Sequence, residues 1–186
     1  MINLPGYEAL TYIYESANSQ VYRGIRSSDG RPAIVKVLKQ DYPTPAELTR
    51  YKQEYEIIRH LNFEGAIAAY SLTHYQKTLA IILEDFGGES LKIFMETRKF
   101  TITEFLNLAV QITEILGNIH AANIIHKDIN PSNIVFNPTT GQLKIIDFGI
   151  ATLLNRENPT LKNPNLIEGT LCLLYTSPSP RDLSTS

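Results

Sequence analysis

The chain has 186 residues, 43% of them hydrophobic, and a formal net charge of -2 at pH 7. This length suits one domain or two small lobes, and the apolar content excludes a disordered chain. The small net charge does not indicate a nucleic-acid arm or a basic membrane-binding patch. The single cysteine, Cys172, excludes an internal disulfide, and no apolar run approaches the roughly 20 residues that cross a bilayer. We therefore expect a cytoplasmic protein without a nucleic-acid partner and without a membrane segment in this chain.

The first half of the chain predicts short strands with one helix among them. The helix is predicted to begin after Thr44, where Glu47 completes a Thr-x-x-Glu capping box, and to run to about Leu61. The Gly87-Gly88 pair that follows the last strand predicts a boundary between two lobes. β-forming residues predict strands at 7–14, 20–26, 31–38, 66–73 and 78–84.

The second half predicts a long amphipathic helix, a polar loop and a hairpin. Thr101 and Glu104 form a second capping box, after which apolar residues recur at helical spacing. The polar loop covers residues 124–133, and short strands are predicted at 134–136 and 143–146. The apolar stripe of the helix consists of Phe105, Leu108, Ala109, Ile112, Ile115, Leu116 and Ile119.

The polar loop carries the clearest indication of chemistry. Asp128 and Asn133 lie in it together, and Asp147 follows an apolar strand nineteen residues after Asp128. Phosphoryl transfer needs a carboxylate near the attacking hydroxyl, oxygen ligands for magnesium and cations on the phosphates. Either segment alone is equally well a polar turn, but the two together in this order favour a phosphoryl-transfer site.

The loop reads His-Lys-Asp-Ile-Asn-Pro-Ser-Asn from His126 to Asn133, and Asp147 opens an Asp-Phe-Gly triplet. These segments resemble the catalytic loop and metal-binding turn of eukaryotic-type protein kinases. The resemblance implies an α+β, two-lobe kinase-like fold with a five-stranded antiparallel N-lobe, one helix and a partial helical C-lobe. It implies that ATP and Mg²⁺ are cofactors, that Asp128 is the catalytic base, and that Asn133 and Asp147 bind the metal. His126 would support the loop.

Lys36 ends an Ala-Ile-Val-Lys run and resembles the lysine that holds the α- and β-phosphates of ATP. A lysine among apolar neighbours is costly unless its ammonium finds an anion, although an edge strand with a solvated lysine is an alternative. Glu54 is its expected helix partner, and Glu56 is the rival candidate. Both glutamates would otherwise lie on a solvated helix face.

The adenine pocket follows from the same resemblance. Leu83 resembles the gatekeeper residue, and the adenine is expected to bond main-chain groups of Glu84 and Phe86. Val21 and Ala33 are expected to complete the pocket. Because backbone groups make these bonds, the side chains at the hinge carry little information about them.

Several residues depart from the kinase pattern. Tyr14, Ser16 and Ser19 occupy the three glycine positions of the phosphate loop, where Ser16 and Ser19 offer hydroxyls in place of close backbone approach. Asn130 replaces the lysine that contacts the γ-phosphate, and Lys127 replaces an arginine. These changes leave a nucleotide-binding pseudokinase as an alternative function.

The run Glu-Ser-Ala-Asn-Ser-Gln-Val-Tyr-Arg-Gly at 15–24, together with the catalytic loop, is similar to one bacterial group. This group is the N-terminal serine/threonine kinase domain of large, especially cyanobacterial, signalling proteins. The similarity implies protein serine/threonine substrates and C-terminal signalling domains as partners. An antibiotic-type small-molecule phosphotransferase is a further alternative, although such enzymes carry a small residue at the place of Lys127.

The segment Glu168-Gly-Thr170-Leu resembles the end of an activation segment, and Thr170 is the expected partner of the catalytic aspartate. The residues that follow are rich in Ser, Thr and Pro and do not continue the pattern. We expect them to be a non-native or disordered tail on a truncated kinase gene, with a natural linker as the alternative. The implied division is an N-lobe and hinge at 1–86, a partial C-lobe at 87–171 and the tail at 172–186.

Overall fold

The structure is a computed structural model that describes residues 2–16, 18–39 and 42–154. An N-terminal lobe contains β1 (Tyr7–Glu15), β2 (Ser19–Arg26), β3 (Pro32–Leu38), α1 (Pro45–His60), β4 (Ala69–Tyr75) and β5 (Thr78–Glu84). The second lobe contains β6 (Glu89–Ser90), α2 (Leu91–Thr97), α3 (Ile102–Ala121), β7 (Ile124–Ile125), a 3-10 turn (Pro131–Asn133), β8 (Ile134–Phe136), β9 (Leu143–Ile145) and β10 (Thr152–Leu153).

The five strands of the first lobe form one antiparallel sheet in the order β1-β2-β3-β5-β4. This arrangement confirms the predicted five-stranded lobe with a single helix, which connects β3 to β4. Residues of a strand alternate between its two faces. Val35 and Val37 lie on the outer face of β3 and pack with Leu4, which precedes the sheet. Lys36 therefore lies on the opposite face, which looks toward α1 and the second lobe.

Both predicted helix starts are confirmed by their hydrogen bonds. The Thr44 hydroxyl accepts the N–H of Glu47, and the Glu47 carboxylate accepts the N–H of Thr44 at 2.8 Å. Thr101 and Glu104 repeat this reciprocal pair at the start of α3. Each box satisfies two backbone donors that the first helical turn leaves without an intrahelical partner.

Three features differ from the sequence-based expectation. The fourth strand begins at Ala69 instead of Ala66, because Ala66 forms a bridge to Ile145 of β9 and so belongs to the contact between the lobes. The short helix α2 was not predicted, since its seven residues are too few to show a helical period. Phe105 was expected on the buried stripe of α3, but it is 61% exposed.

The buried stripe of α3 is narrower than its apolar sequence suggests. Leu108, Ile115 and Ile119 are buried in the core that joins the two lobes. Within the described ranges Ile102, Phe105, Leu106 and Val110 remain exposed. The apolar surface of α3 therefore exceeds what the described part of the chain covers. No helix among the described residues is long and apolar enough to cross a membrane.

The outer face of the sheet provides a stability test. Leu4 is only 2% exposed and packs on the β3–β5 face, so truncating it to alanine leaves a cavity. We expect Leu4→Ala to lower the free energy of unfolding by about 2–5 kcal/mol, as for other buried leucines. Urea unfolding followed by circular dichroism measures this change.

Ile25→Ala is the matched control, because Ile25 lies in the sheet but is 45% exposed, against 2% for Leu4. We expect it to change the free energy of unfolding by no more than about 0.5 kcal/mol. Equal unfolding midpoints for Leu4→Ala and the unmodified chain would contradict the buried position of Leu4.

Candidate active site

The site is built around the buried ammonium of Lys36. Its Nζ lies 2.5 Å from Oε1 of Glu54 and 2.9 Å from Oδ1 of Asp147. The three side chains come from β3, from α1 and from the turn after β9, which are far apart in sequence. Glu54 is 4% exposed, whereas Glu56 points to solvent, so Glu54 is the helix partner of Lys36.

The carboxylates of Glu54 and Asp147 determine the protonation state of Lys36. Burial opposes the charged form of Lys36, but Glu54 and Asp147 outweigh it and raise its pKa, so the ammonium stays protonated. Burial also acts against the charged Asp147, but contact with Lys36 and the N–H of Gly149 holds the pKa of Asp147 below its usual range. Lys36 and Asp147 therefore face the cleft as an ammonium and a carboxylate.

Asp128 and Asn133 are joined in the loop between β7 and β8. The Nδ2 of Asn133 donates to the backbone oxygen and to Oδ2 of Asp128, each at 2.9 Å. Asn130 caps the 3-10 turn, since its Oδ1 accepts the N–H of Ser132 at 2.9 Å while its Nδ2 donates to the Asp128 carbonyl at 3.3 Å. The Asn130 amide therefore shapes the loop that presents Asp128.

His126 connects this loop to the Asp-Phe-Gly turn. It is buried, its Nδ1 accepts the N–H of Asp128 at 3.2 Å, and its Nε2 lies 3.0 Å from the carbonyl of Ile146. Because Nδ1 accepts a hydrogen bond, the ring is the neutral tautomer that donates from Nε2. Burial lowers the pKa of His126 and favours this neutral form. Its edge-to-face contact with Phe148 completes the link.

Two residues of the site have left-handed backbone conformations. Lys127 has φ of 67° and Asp147 has φ of 63°. Residues other than glycine reach this region at some cost, and such strained positions cluster at functional sites. The surrounding contacts of His126 hold both turns in place.

The two serines of the phosphate loop close the turn between β1 and β2. The Ser16 hydroxyl accepts the N–H groups of Ser19 at 3.0 Å and Asn18 at 3.3 Å. The hydroxyls of Ser16 and Ser19 also lie 2.9 Å apart. These side chains supply hydrogen bonds that shape the turn at the positions where the kinase pattern has glycines. The Tyr14 side chain is exposed at the start of the loop.

A cleft of about 840 Å³ brings these groups together. It is lined by Ser16, Ser19, Lys36, Glu54, Asp128 and Asp147, among others. The residues expected to handle phosphate and the attacking hydroxyl therefore share one space. Seven other predicted site residues do not line this cleft: Val21, Ala33, Leu83, Glu84, Phe86, Asn130 and Asn133. Thr170 lies outside the described residues.

The strand register corrects one of the expected adenine-pocket residues. Ala33 is fully buried on the outer face of the sheet with Val35 and Leu4, so it faces away from Lys36 and the expected adenine pocket. Ile34 lies opposite Leu83 in the β3–β5 pair and shares the face of Lys36. Because side chains alternate along a strand, the residue two positions before Lys36 shares its face, whereas the residue three positions before it does not.

Val21 lies opposite Lys36 in the β2–β3 pair, so the two side chains share one face of the sheet. Leu83 is at the end of β5 on that same face, opposite Ile34. Val21, Ile34 and Leu83 therefore form an apolar surface beside Lys36. Such a surface suits the flat, apolar faces of a purine ring.

Three side chains that the sequence reasoning missed hold the hinge. Lys144 Nζ lies 2.6 Å from Oε1 of Glu84 in a largely buried pair, and the Glu84 carboxylate also accepts the N–H of Ala68. Arg23 pairs with Asp85 at 2.6 Å. Lys144 sits in an apolar strand, which is the same pattern that pointed to Lys36.

The third of these side chains is Asn137, whose Nδ2 donates to the Phe86 carbonyl at 2.7 Å. Neither Arg23 nor Asn137 stands in a sequence pattern that marks it as a hinge contact. In the described part of the chain the Phe86 N–H has no hydrogen-bond acceptor. The hinge thus presents a backbone donor next to the apolar surface of Val21 and Ile34.

The residues expected to bind metal, Asn133 and Asp147, carry oxygen donors that suit magnesium. Asn133 uses its Nδ2 for Asp128, and its amide oxygen is the ligand type that magnesium prefers. Asp147 adds a carboxylate, and its Oδ1 accepts from Lys36 and Gly149. No group of three His, Cys, Asp or Glu side chains in the described ranges forms a closed metal cage. One carboxylate and one amide oxygen fit a magnesium ion that phosphate oxygens and water also coordinate.

Comparison with known protein families agrees with the resemblance of the sequence to protein kinases. A family model described as the protein kinase domain matches residues 7–178. The chain belongs to the protein kinase family. The matched residues include 172–178, the first part of the segment that we expected to be a non-native tail. Membership implies the use of ATP and a divalent metal in general.

Individual relatives are serine/threonine-protein kinases by name. The chain is 30% identical to serine/threonine-protein kinase PknA of Mycobacterium tuberculosis over 152 residues, which are 78% of this chain and 35% of the relative. It is 27% identical to serine/threonine-protein kinase PrkC of Bacillus subtilis over 181 residues, 96% of this chain and 28% of the relative. It is 29% identical to the probable serine/threonine-protein kinase PknB of Corynebacterium glutamicum over 178 residues. The chain thus spans at most about a third of the length of these relatives.

The choice between the two helix glutamates leads to a test. Replacing Glu54 with glutamine removes one of the two anions that compensate the buried Lys36 ammonium, while Asp147 remains. We expect Glu54→Gln to lower the free energy of unfolding by up to about 3 kcal/mol. Glu56→Gln is the control, because an exposed glutamate should change it by less than about 0.5 kcal/mol. Denaturant unfolding without nucleotide measures both, and equal effects would contradict the role of Glu54.

Proposed function

We propose that this chain is the catalytic part of an ATP-dependent protein serine/threonine kinase. The observation that carries the proposal is the shared cleft in which Lys36, held by Glu54 and Asp147, faces Asp128. An ammonium and the carboxylates of Asp128 and Asp147 in one cleft, with the Asn133 amide bonded to Asp128, are the groups that phosphoryl transfer requires.

The proposed nucleotide site lies on the inner face of the sheet, with the adenine at the hinge and the phosphates at Lys36. The adenine stacks against Val21 and Ile34 and bonds the backbone of Glu84 and Phe86, where the Phe86 N–H is a donor without an acceptor in the described part of the chain. Lys36 then contacts the α- and β-phosphates. Because Glu54 orients its ammonium, the lysine needs little rearrangement when the phosphates arrive.

The proposed metal ligands are Asn133 and Asp147. A magnesium ion held by Asn133 and Asp147 would offset the negative charge of the triphosphate. Asn133 is held through its Nδ2 by Asp128, which aims its amide oxygen, and the N–H of Gly149 and the Lys36 ammonium hold Asp147. The ligand atoms are therefore fixed by contacts with this chain's own residues.

Asp128 orients the substrate hydroxyl and accepts its proton as the oxygen attacks the γ-phosphorus. The bond from that phosphorus to the oxygen it shares with the β-phosphate breaks, and ADP leaves. Asn133 fixes its Oδ2, and His126 fixes its backbone N–H. Asn130 carries no charge for the γ-phosphate, so we expect Lys36 and the metal to supply the stabilisation that a lysine there would add. Thr170, which lies outside the described residues, is proposed to contact Asp128 when substrate binds.

The serine/threonine substrate class rests on the names of the relatives and on the similarity at residues 15–24. Further parts of the proposal are a cytoplasmic location and C-terminal signalling domains of the cyanobacterial type as partners of the kinase. The family match does not favour an antibiotic phosphotransferase. The turn closed by Ser16 and Ser19 is the observation that favours the second candidate, a nucleotide-binding pseudokinase.

Transfer of labelled γ-phosphate tests the proposal and separates these functions. The chain is incubated with Mg-ATP and a generic protein substrate, and with an aminoglycoside in a parallel reaction. We expect label on serine and threonine of the protein only. Asp128→Asn keeps the shape of the side chain but removes the base, so transfer should fall by about 10²–10⁴-fold.

Glu114→Gln is the matched control, because this glutamate is exposed on α3 away from the cleft. We expect its transfer rate to equal that of the unmodified chain. Full transfer by Asp128→Asn would rule out the assigned base. Mg-ATP binding without any transfer would favour the pseudokinase, and label on the aminoglycoside would favour the antibiotic-type enzyme.

A further inference from the structure

The turn between β8 and β9 contains a buried amide that performs two separate tasks. Asn137 is 8% exposed, and its Oδ1 accepts the N–H groups of Thr139 at 2.9 Å and Thr140 at 3.3 Å. Its Nδ2 donates in the opposite direction, to the Phe86 carbonyl at 2.7 Å. The acceptor end shapes the hairpin turn, and the donor end reaches the hinge fifty-one residues earlier in the chain.

The hinge peptide that receives this bond is held at both of its polar ends. The carbonyl belongs to Phe86 and is bonded by Asn137, and the N–H belongs to Gly87 and donates to Oδ1 of Asp85 at 2.9 Å. Gly87 has φ of +73°, in the left-handed region that favours glycine. A side chain on Gly87 would also meet the Asn137 Nδ2 at 3.3 Å.

This arrangement limits where the Phe86 N–H points. The peptide that joins Phe86 to Gly87 cannot rotate without losing one of its two hydrogen bonds. The neighbouring Phe86 N–H is the donor that has no acceptor within the described residues. Because the bond from Gly87 to Asp85 spans Phe86, it limits the backbone rotation of Phe86 and hence the directions that the Phe86 N–H can take.

We propose that Asn137 is a positioning residue that sets the hinge for adenine, an inference that rests on the proposed kinase function. Adenine presents an amino donor beside a ring-nitrogen acceptor. The hinge matches it with the Glu84 carbonyl and the Phe86 N–H, and guanine presents the opposite order. Because hydrogen bonds weaken steeply with misalignment, a hinge released by Asn137 binds the base less well and distinguishes the two purines less sharply.

Asn137 is expected to affect the binding of the adenine base and not the binding of the phosphates. Asn137 contacts the hinge, whereas Lys36, Asp128 and Asp147 belong to other elements and form the phosphate end of the cleft. Loss of the Asn137 donor should therefore raise the KM for ATP and the Kd for adenosine while kcat is retained. A defect in folding alone would lower the active fraction and leave the Kd of the remaining sites unchanged.

Asn137→Asp is the sharpest variant, because it keeps the acceptor for Thr139 and Thr140 and replaces only the donor. We expect the adenosine Kd and the KM for ATP to rise by about tenfold, as for the loss of about 1.4 kcal/mol of binding free energy. The ratio of the KM for GTP to that for ATP should fall. Thr140→Val is the matched control, because it removes a bond to Gln142 in the same turn and leaves the hinge contact intact.

Asn137→Ser is a second variant for the case that the aspartate prevents folding. The serine hydroxyl can still accept a hydrogen bond from the turn, but the serine side chain is too short to reach the Phe86 carbonyl. An unchanged adenosine Kd in a folded variant would overturn the inference while the proposed kinase function stands. If the unmodified chain binds neither adenosine nor Mg-ATP and transfers no phosphate, the proposed function fails and this inference fails with it.

Discussion

The architecture depends on one buried cation. The ammonium of Lys36 lies inside the protein, and it is tolerated only because two carboxylates face it. Those carboxylates come from α1 and from the turn after β9, so a single charge requires a strand, a helix and the second lobe to meet. The same contact that makes burial acceptable leaves Lys36 aimed at the cleft. Stability and the proposed function therefore depend on the same three side chains.

A comparable principle governs the hinge, where consecutive residues are tied to different parts of the molecule. Glu84 pairs with Lys144 of β9, Asp85 pairs with Arg23 of β2, and the Phe86 carbonyl is held by the β8–β9 turn. A connecting segment held by this many side chains behaves as part of the binding surface. In the proposed function, the backbone of this segment offers a fixed pattern of hydrogen-bond donors and acceptors to the purine ring.

Sequence reasoning succeeded where the information is local. Capping boxes located Thr44 and Thr101, and the spacing of Asp128 and Asp147 indicated a shared site before any contact was known. It was wrong at Ala33, because matching a motif by its letters ignored the alternation of a strand. Contacts such as Asn137 to Phe86 join residues far apart in the chain, and no periodicity encodes them.

The position of Leu4 affects how this domain should be delimited. The family match begins at residue 7, yet Leu4 is buried against Val35, Val37, Ala80 and Ile82. A recombinant version cut at the start of the match would lose Leu4 and so uncover part of this apolar cluster, which Tyr7, Leu10, Tyr22 and Tyr75 would still cover elsewhere. Apolar patches of this kind promote self-association, so such a version is at risk of precipitating for reasons unrelated to its catalytic machinery. Family boundaries describe what relatives share, whereas the boundary of a folding unit depends on what each chain buries.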